Sequence, residues 1–369
     1  MSSTPLGVAI IGSGIFVESQ HKPACLQDPT LLTLKAIYSR RKSSVESIIA
    51  NETAPIDVYS DDSAPGNHLD DLLRRADIDF VIIALPIPHQ PEFIKRALLA
   101  GKHVLSEKPV AKDLATANEL IRWKKAHAPN PIWSVAENFR YWPAFDYAEE
   151  KVKSLGKVLA FHVEVLQHVA PGGKYFETAW RKVPTYQGGF CLDAGVHFTA
   201  ALRRLVGEDQ IASLSAFTNL TQPHLPPIDT IMSTIKLKSG VCGTFAMSHG
   251  TPATKVFEWF IVCEKGTVKV SDGPKVVVKQ LEMPEEWTEF GGDRNEWSGV
   301  KKEVRVFVES VRNGKGVEGL SPENALADLE MIEKMILSGE QGGKPFEING
   351  GIEPTSILGD VVDMIHKHS

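Results

Sequence analysis

Through its first third the chain alternates short apolar runs with stretches that carry apolar residues at helical spacing. Gly7-Val8-Ala9-Ile10-Ile11-Gly12, Leu32 to Tyr38, Phe80 to Leu85 and Ile132 to Ala136 are runs of strand length. A strand that is apolar on both faces belongs to a parallel sheet covered by helices. Helical spacing appears between the runs, at Leu69 to Leu73, at Pro91 to Ala100 with Phe93, Ile94, Ala97 and Leu98 on one face, and at Asp113 to His127. Gly101 stands where a helix would stop. Repeated β-α alternation predicts a doubly wound parallel sheet. From Lys157 the period changes. Leu159, Phe161, Val163 and Val165 alternate with Ala160, His162, Glu164 and Leu166. Alternation predicts a mainly antiparallel sheet buried on one face and open on the other. Further strands are predicted at Ile211 to Leu220, Thr230 to Leu237, Val241 to Ser248, Val256 to Cys263 and Gly266 to Val270, with a hairpin at Lys238-Ser239-Gly240. Helices are predicted at Trp297 to Asn313 and Pro322 to Ser338. The chain thus reads as two α/β domains, 1–137 and 138–369.

In open α/β sheets the ligand crevice lies outside the carboxyl ends of the strands, so the residues that end each run carry the chemistry. The first run ends in Gly12-Ser13-Gly14, a G-x-G turn before a helix expected to reach Gln27. Glycines permit a tight turn and close backbone approach to a pyrophosphate, and the helix N-terminus, at Ile15 and Phe16, faces the anion. The third glycine of that fingerprint falls at Val17. The second run ends in Ser39-Arg40-Arg41-Lys42, with no carboxylate. A carboxylate there grips the ribose of NAD, whereas a hydroxyl and planar guanidiniums suit the 2′-phosphate of NADP. A further run, Gly101-Lys102-His103-Val104-Leu105-Ser106, stops abruptly at Glu107-Lys108-Pro109. Lys108 is then a rigidly supported cation at the crevice, able to polarise or protonate a substrate oxygen.

Gly188-Gly189 opens a helix through Leu205 that carries Asp193 and His197 four residues apart, on one face. A carboxylate near a helix start can orient an imidazole one turn on, and histidine is the side chain best placed to move protons near neutral pH. The composition adds exclusions. Lys+Arg 40 against Asp+Glu 46 gives a net charge of −6, with no basic field for nucleic acid or an anionic membrane. Cys25, Cys191, Cys242 and Cys263 have neither metal-site nor disulfide spacing, so no metal is expected and a reducing compartment fits. No apolar run is long enough to span a bilayer, and the N-terminus lacks the basic start of a signal peptide. A cytoplasmic protein is expected.

With these motifs in view the sequence resembles the Gfo/Idh/MocA oxidoreductases, the glucose–fructose oxidoreductase and inositol dehydrogenase group. The resemblance covers nearly the whole chain. It rests on Gly12-Ser13-Gly14, on Ala100-Gly101-Lys102-His103-Val104-Leu105-Ser106-Glu107-Lys108-Pro109, on Trp180-Arg181, and on Gly188-Gly189 ahead of Asp193-x-Gly195-x-His197, with Asp229-Thr230 and Leu237-Lys238-Ser239-Gly240 beyond. It implies an N-terminal Rossmann domain, a C-terminal α/β domain whose open sheet often joins protomers, and catalytic roles for Lys108, Asp193 and His197. It extends the cofactor set to Leu85, Pro86, His89, Gln90, Glu107, Lys108, Trp180 and Arg181. Two stretches differ from the family: Val17 replaces a small residue, and Pro86-Ile87-Pro88-His89-Gln90 replaces a Pro-Asn…His stretch.

The expectation that follows is an NADP(H)-dependent oxidoreductase moving a hydride between nicotinamide and a carbonyl or hydroxyl carbon of a sugar, polyol or other small carbonyl compound. Lys108 would hydrogen-bond the substrate oxygen, His197 would act as acid–base on it, directly or through Lys108, and Asp193 would orient them and keep Lys108 charged. Arg140, Trp142, His168, Tyr175, Trp180 and Arg181 are candidates for the substrate pocket. Trp142 is a packing residue by its type. The rival is a catalytically silent NAD(P)-sensing regulator or binding protein, which would need no proton donor. The open face of the second sheet, expected to be apolar, predicts a homodimer or larger assembly.

Overall fold

The computed structural model describes residues 4–272, 274–292 and 294–351. Residues 352–369, counted above with the second domain, lie outside the described residues. The first sheet is formed by β1 (Leu6–Ile11), β2 (Leu32–Ser39), β3 (Asp57–Ser60), β4 (Phe80–Ile83), β5 (His103–Glu107) and β6 (Trp133–Ala136). Its order is β3-β2-β1-β4-β5-β6, parallel throughout. Strand order reverses between β1 and β4, which fixes the ligand crevice above those two strands. The strands are apolar on both faces because both are covered: Val8, Ile10, Phe80 and Ile82 join one cluster, and Ala9, Ile11, Val81 and Ile83 join another.

The crossovers are α1 (Lys22–Leu26), α2 (Lys42–Ile49), α3 (Leu69–Leu73), α4 (Gln90–Leu99) and α5 (Leu114–His127). The helix after Gly14 passes through a π turn, Val17–His21, before α1, and Val17 is buried in the sheet cluster. Lys42, read above with the loop, instead opens α2, whose Val45 and Ile48 are buried. Asp113 caps α5, its Oδ1 accepting the Thr116 amide at 2.7 Å.

The second sheet contains β7 (Val158–Leu166), β8 (Ile211–Asn219), β9 (Thr230–Leu237), β10 (Cys242–Ser248), β11 (Val256–Cys263), β12 (Gly266–Ser271), β13 (Lys275–Gln280), β14 (Glu286–Glu289) and β15 (Phe346–Glu347). The helices of this half are α6 (Pro143–Ser154), α7 (Ala179–Lys182), α8 (Phe190–Val206), α9 (Arg294–Trp297), α10 (Val300–Asn313) and α11 (Pro322–Glu340). The order is β14-β13-β12-β11-β7-β10-β9-β8-β15. Pairing is antiparallel except between β7 and β10, which run parallel at the centre. Alternation reports one buried face; it does not report strand direction.

Two expectations need correction. The open face is mixed rather than apolar: Phe217 and Met232, paired across β8 and β9, are exposed, but His162, Thr244 and Glu164 share that side, and Leu159 is exposed at the start of its strand. The helix expected from Trp297 begins at Val300, because Gly299 adopts φ +79° and a Cβ there would lie 2.3 Å from the Asn138 carbonyl oxygen. That close approach seats α10 on the first domain, where Val300, Val304, Phe307 and Val308 join the sheet cluster of β1 and β4. The chain therefore returns to its N-terminal core after the second sheet.

Candidate active site

β5 ends at Glu107, and Lys108 follows it into the crevice. The Lys108 ammonium donates to the Asp193 backbone carbonyl at 2.7 Å and to Asp193 Oδ1 at 2.9 Å. The contact spans 85 residues and joins the two domains. Asp193 lies in the first turn of α8, behind Gly188 (φ +70°) and Gly189 (φ +50°). A Cβ at Gly189 would meet the Pro226 carbonyl oxygen at 2.6 Å, so only glycine lets the helix start here. Its second oxygen, Oδ2, accepts Arg181 Nε at 2.7 Å. The Arg181 guanidinium lies 3.9 Å from the Trp180 ring centroid and 5.2 Å from that of Tyr175. Burial by itself would raise the Asp193 carboxyl; the charges and hydrogen bonds of Lys108 and Arg181 outweigh it and hold the group well below the usual carboxylate range.

His197 is one turn further along α8, but its partner is not Asp193. Its Nδ1 lies 2.6 Å from Glu137 Oε1, and its ring stacks on Phe139 at 4.6 Å. Asp193 is drawn away by its two cations, and Glu137, directly after β6, takes its place as the orienting carboxylate. Glu137 is 2 % exposed and also accepts the Phe139 amide at 3.1 Å. A second carboxylate–histidine pair stands beside it: His21 Nε2 lies 2.7 Å from Glu107 Oε1. Glu107, expected among the cofactor ligands, thus has that oxygen committed to His21. Glu303 of α10 is buried, and burial and the negative charges of Glu107 and Glu137 push its carboxyl well above the usual range, so it is held as the neutral acid.

Most of the expected cofactor residues follow strand ends, whereas Trp180 and Arg181 lie on α7. Gly12 adopts φ +129°, and a Cβ there would lie 2.3 Å from the Ala84 carbonyl oxygen. A Cβ at Gly14 would meet nothing within 4 Å, so the turn is open on the side a pyrophosphate would approach. Ser13 Oγ donates to Ser39 Oγ at 2.8 Å, tying the turn to the end of β2. Arg40 and Arg41 are exposed, and neither guanidinium forms an ion pair or hydrogen bond among the described residues. Leu85, Pro86 and the turn Ile87–His89 follow β4. Gln90 is buried there with both amide atoms unpaired among the described residues. An open glycine turn, free guanidiniums and an orphaned amide at the switch point fit a dinucleotide.

Arg140 does not belong to the pocket. It is buried, Nη2 donates to both Asp328 oxygens at 2.8 and 2.9 Å, and Nη1 pairs with Glu208, so the guanidinium is held in a cluster of carboxylates. Trp142 packs against Phe139, Phe145 and Trp297. His168 is exposed, its ring 6.0 Å from His224. Sequence reading missed Glu137, His21 and Glu303. The strand-end rule that singled out Lys108 applies equally to Glu137; His21 and Glu303 carry no local signal.

Comparison with known proteins gives the class. Residues 6–128 match the model of an oxidoreductase family with an NAD-binding Rossmann fold, and residues 150–348 match its C-terminal alpha/beta domain. The chain belongs to the Gfo/Idh/MocA oxidoreductase family. It is 37% identical over 340 residues to dehydrogenase FPY6 of Fusarium mangiferae, covering 90% of this chain and 95% of that one. A solved oxidoreductase, TM0312 of Thermotoga maritima, is 28% identical with a TM-score of 0.82, over 94% of this chain and all of that one. GenD2 of gentamicin A biosynthesis, solved in complex with NAD, shares the fold at 23% identity and a TM-score of 0.76, over 94% and 97%. No helix among the described residues is long and apolar enough to cross a membrane.

Proposed function

We propose that the protein is an NADP(H)-dependent oxidoreductase that interconverts a hydroxyl and a carbonyl group on a sugar, polyol or similar small molecule. The observation that carries the reading is the contact of Lys108 with Asp193, which brings a strand-end cation to the helix that also carries His197. A bound nicotinamide would supply or accept the hydride. An ammonium has three donors, and Asp193 takes two, so one remains for the substrate oxygen. Asp193, itself held ionised, keeps Lys108 charged as negative charge develops on that oxygen. With Nδ1 held by Glu137, the Nε2 of His197 is the atom free to take the hydroxyl proton, directly or through Lys108. Trp180 and Arg181 close the site from the second domain, with Arg181 fixing the other oxygen of Asp193.

Ser39, Arg40 and Arg41 favour NADP over NAD as the cofactor. The exposed Phe217–Met232 pair on the open sheet favours a homodimer or larger assembly, which light scattering at micromolar concentration tests by mass. Domains at 1–137 and 138–369, with α10 docked on the first, and a cytoplasmic location complete the reading. The direct test is loss of NADPH absorbance with a panel of aldehydes, ketones and sugars. Steady turnover with one of them supports the enzyme; tight cofactor binding with no turnover on any supports the silent sensor instead.

A further inference from the structure

His21 closes the π turn Val17–His21, shortly after Gly14, and its side chain is wholly buried. Turns of this kind concentrate at functional sites. This one is continuous with the glycine turn that heads the crevice: the Glu18 amide donates to the Gly14 carbonyl at 3.1 Å, and Ser19 Oγ donates to the Ile15 carbonyl at 2.8 Å. The Phe16 ring meets the His21 ring edge-on at 5.2 Å. From this turn His21 Nε2 lies 2.7 Å from Glu107 Oε1, a bond that spans 86 residues. Glu107 is the last residue of β5, and Lys108 follows it. Beside His21, Gln20 Oε1 accepts Ser298 Oγ at 2.8 Å, which holds the turn against the segment ahead of α10.

A buried polar side chain is usually satisfied at every polar atom, but His21 Nδ1 has no hydrogen-bond partner among the described residues. An unpaired buried nitrogen destabilises the fold, so the bond from the other nitrogen to Glu107 is what this imidazole supplies. Successive side chains of an extended chain point to opposite sides. Fixing Glu107 on the side of the π turn therefore fixes the opposite direction for Lys108, whose ammonium reaches the Asp193 carbonyl at 2.7 Å and Oδ1 at 2.9 Å. We propose that His21 is a positioning residue: through Glu107 it holds the end of β5 so that Lys108 stays on Asp193, and it ties that lysine to the turn on which the cofactor is expected. The inference rests on the oxidoreductase reading for its effect on turnover, and on the geometry alone for its effect on Lys108.

The test is a double-mutant cycle on the best substrate of the panel. His21→Leu removes the bond at similar volume, and His21→Gln keeps a donor near the position of Nε2. His21→Leu should lower kcat at least about tenfold, the effect of a misplaced catalytic group, with NADPH affinity within about threefold. His21→Gln should restore most of that loss. In a Lys108→Ala background His21→Leu should remove less than about twofold more, because its effect runs through the lysine. The same loss in both backgrounds, near-normal kcat in His21→Leu, or no rescue by His21→Gln overturns the proposal. A second readout needs no turnover: the rate at which an N-hydroxysuccinimide ester acetylates Lys108 in the NADPH-loaded protein, followed by mass spectrometry. Lys108 should react at least about threefold faster in His21→Leu, since an ammonium held by the Asp193 carbonyl and Oδ1 must leave them to react, while the exposed Lys238 keeps its rate. If the wild type turns over no substrate, the oxidoreductase reading fails, and this rate alone decides His21: an unchanged rate overturns its positioning role, and a faster one supports it. If His21→Leu does not fold, His21→Asn, whose amide is too short to reach Glu107, takes its place in each comparison.

Discussion

His197 is held by Glu137, which follows β6, at 2.6 Å, although Asp193 stands four residues before it on the same helix. The two carboxylates divide the work. Asp193 fixes the cations Lys108 and Arg181, and Glu137 fixes the imidazole. Glu137→Gln keeps the shape and removes the charge that stabilises a protonated imidazole. Turnover should fall at least about a hundredfold, the usual scale for an impaired acid–base group, with cofactor affinity unchanged. Stopped-flow or steady-state NADPH consumption measures it, and a loss below about threefold would remove Glu137 from the machinery.

That division was not legible in the sequence. The parallel sheet, its strand ends and the position of Lys108 just after β5 could be read, because strand runs and turn glycines are local signals. The i,i+4 spacing correctly placed Asp193 and His197 on one face of α8, but spacing gives proximity and not partnership. Asp193 pairs with two part-buried cations rather than one imidazole, and both cations arrive from elsewhere in the chain: Lys108 from the first domain, Arg181 from α7. The parallel β7–β10 pair and the docking of α10 on the first domain are likewise set by long-range packing. The Arg140 error has the same origin, since Asp328 and Glu208 are distant in sequence.

The proposed preference for NADP rests on Arg40 and Arg41, which are exposed after the end of β2 with neither guanidinium paired among the described residues. A charge-assisted phosphate contact contributes about 1.5–3 kcal/mol, so NADP(H) should bind roughly ten- to a hundredfold more tightly than NAD(H). Fluorescence titration at fixed salt measures both. Arg40→Ala with Arg41→Ala should bring the two affinities together, and a pair of wild-type affinities already equal would assign the protein to NAD.

Acid stability should depend on His249, which is buried beside Phe190 with Nδ1 on Gln167. Burial pushes its imidazole down to about 4, against weaker opposing pulls from Asp193 and Asp229. The unfolded chain takes up a proton near its ordinary pKa of about 6.5, which the folded protein refuses, so stability present above that pH is lost as pH falls toward 4. The full effect is about 3 kcal/mol, most of it already lost at pH 5. Urea midpoints at pH 7.5, 6 and 5 should fall steeply in the wild type and less in His249→Gln. Equal slopes would mean that another group carries the acid sensitivity.

The most direct measurement is the turnover of Lys108→Ala on the best substrate of the panel, taken with its NADP(H) affinity. In the proposed function Lys108 meets the substrate oxygen and the 2′-phosphate binds at the far end of the crevice. The account therefore predicts a loss of at least about a hundredfold in kcat, with NADP(H) affinity within about twofold of the wild type. Near-normal turnover would contradict it, and so would a loss that follows cofactor affinity alone.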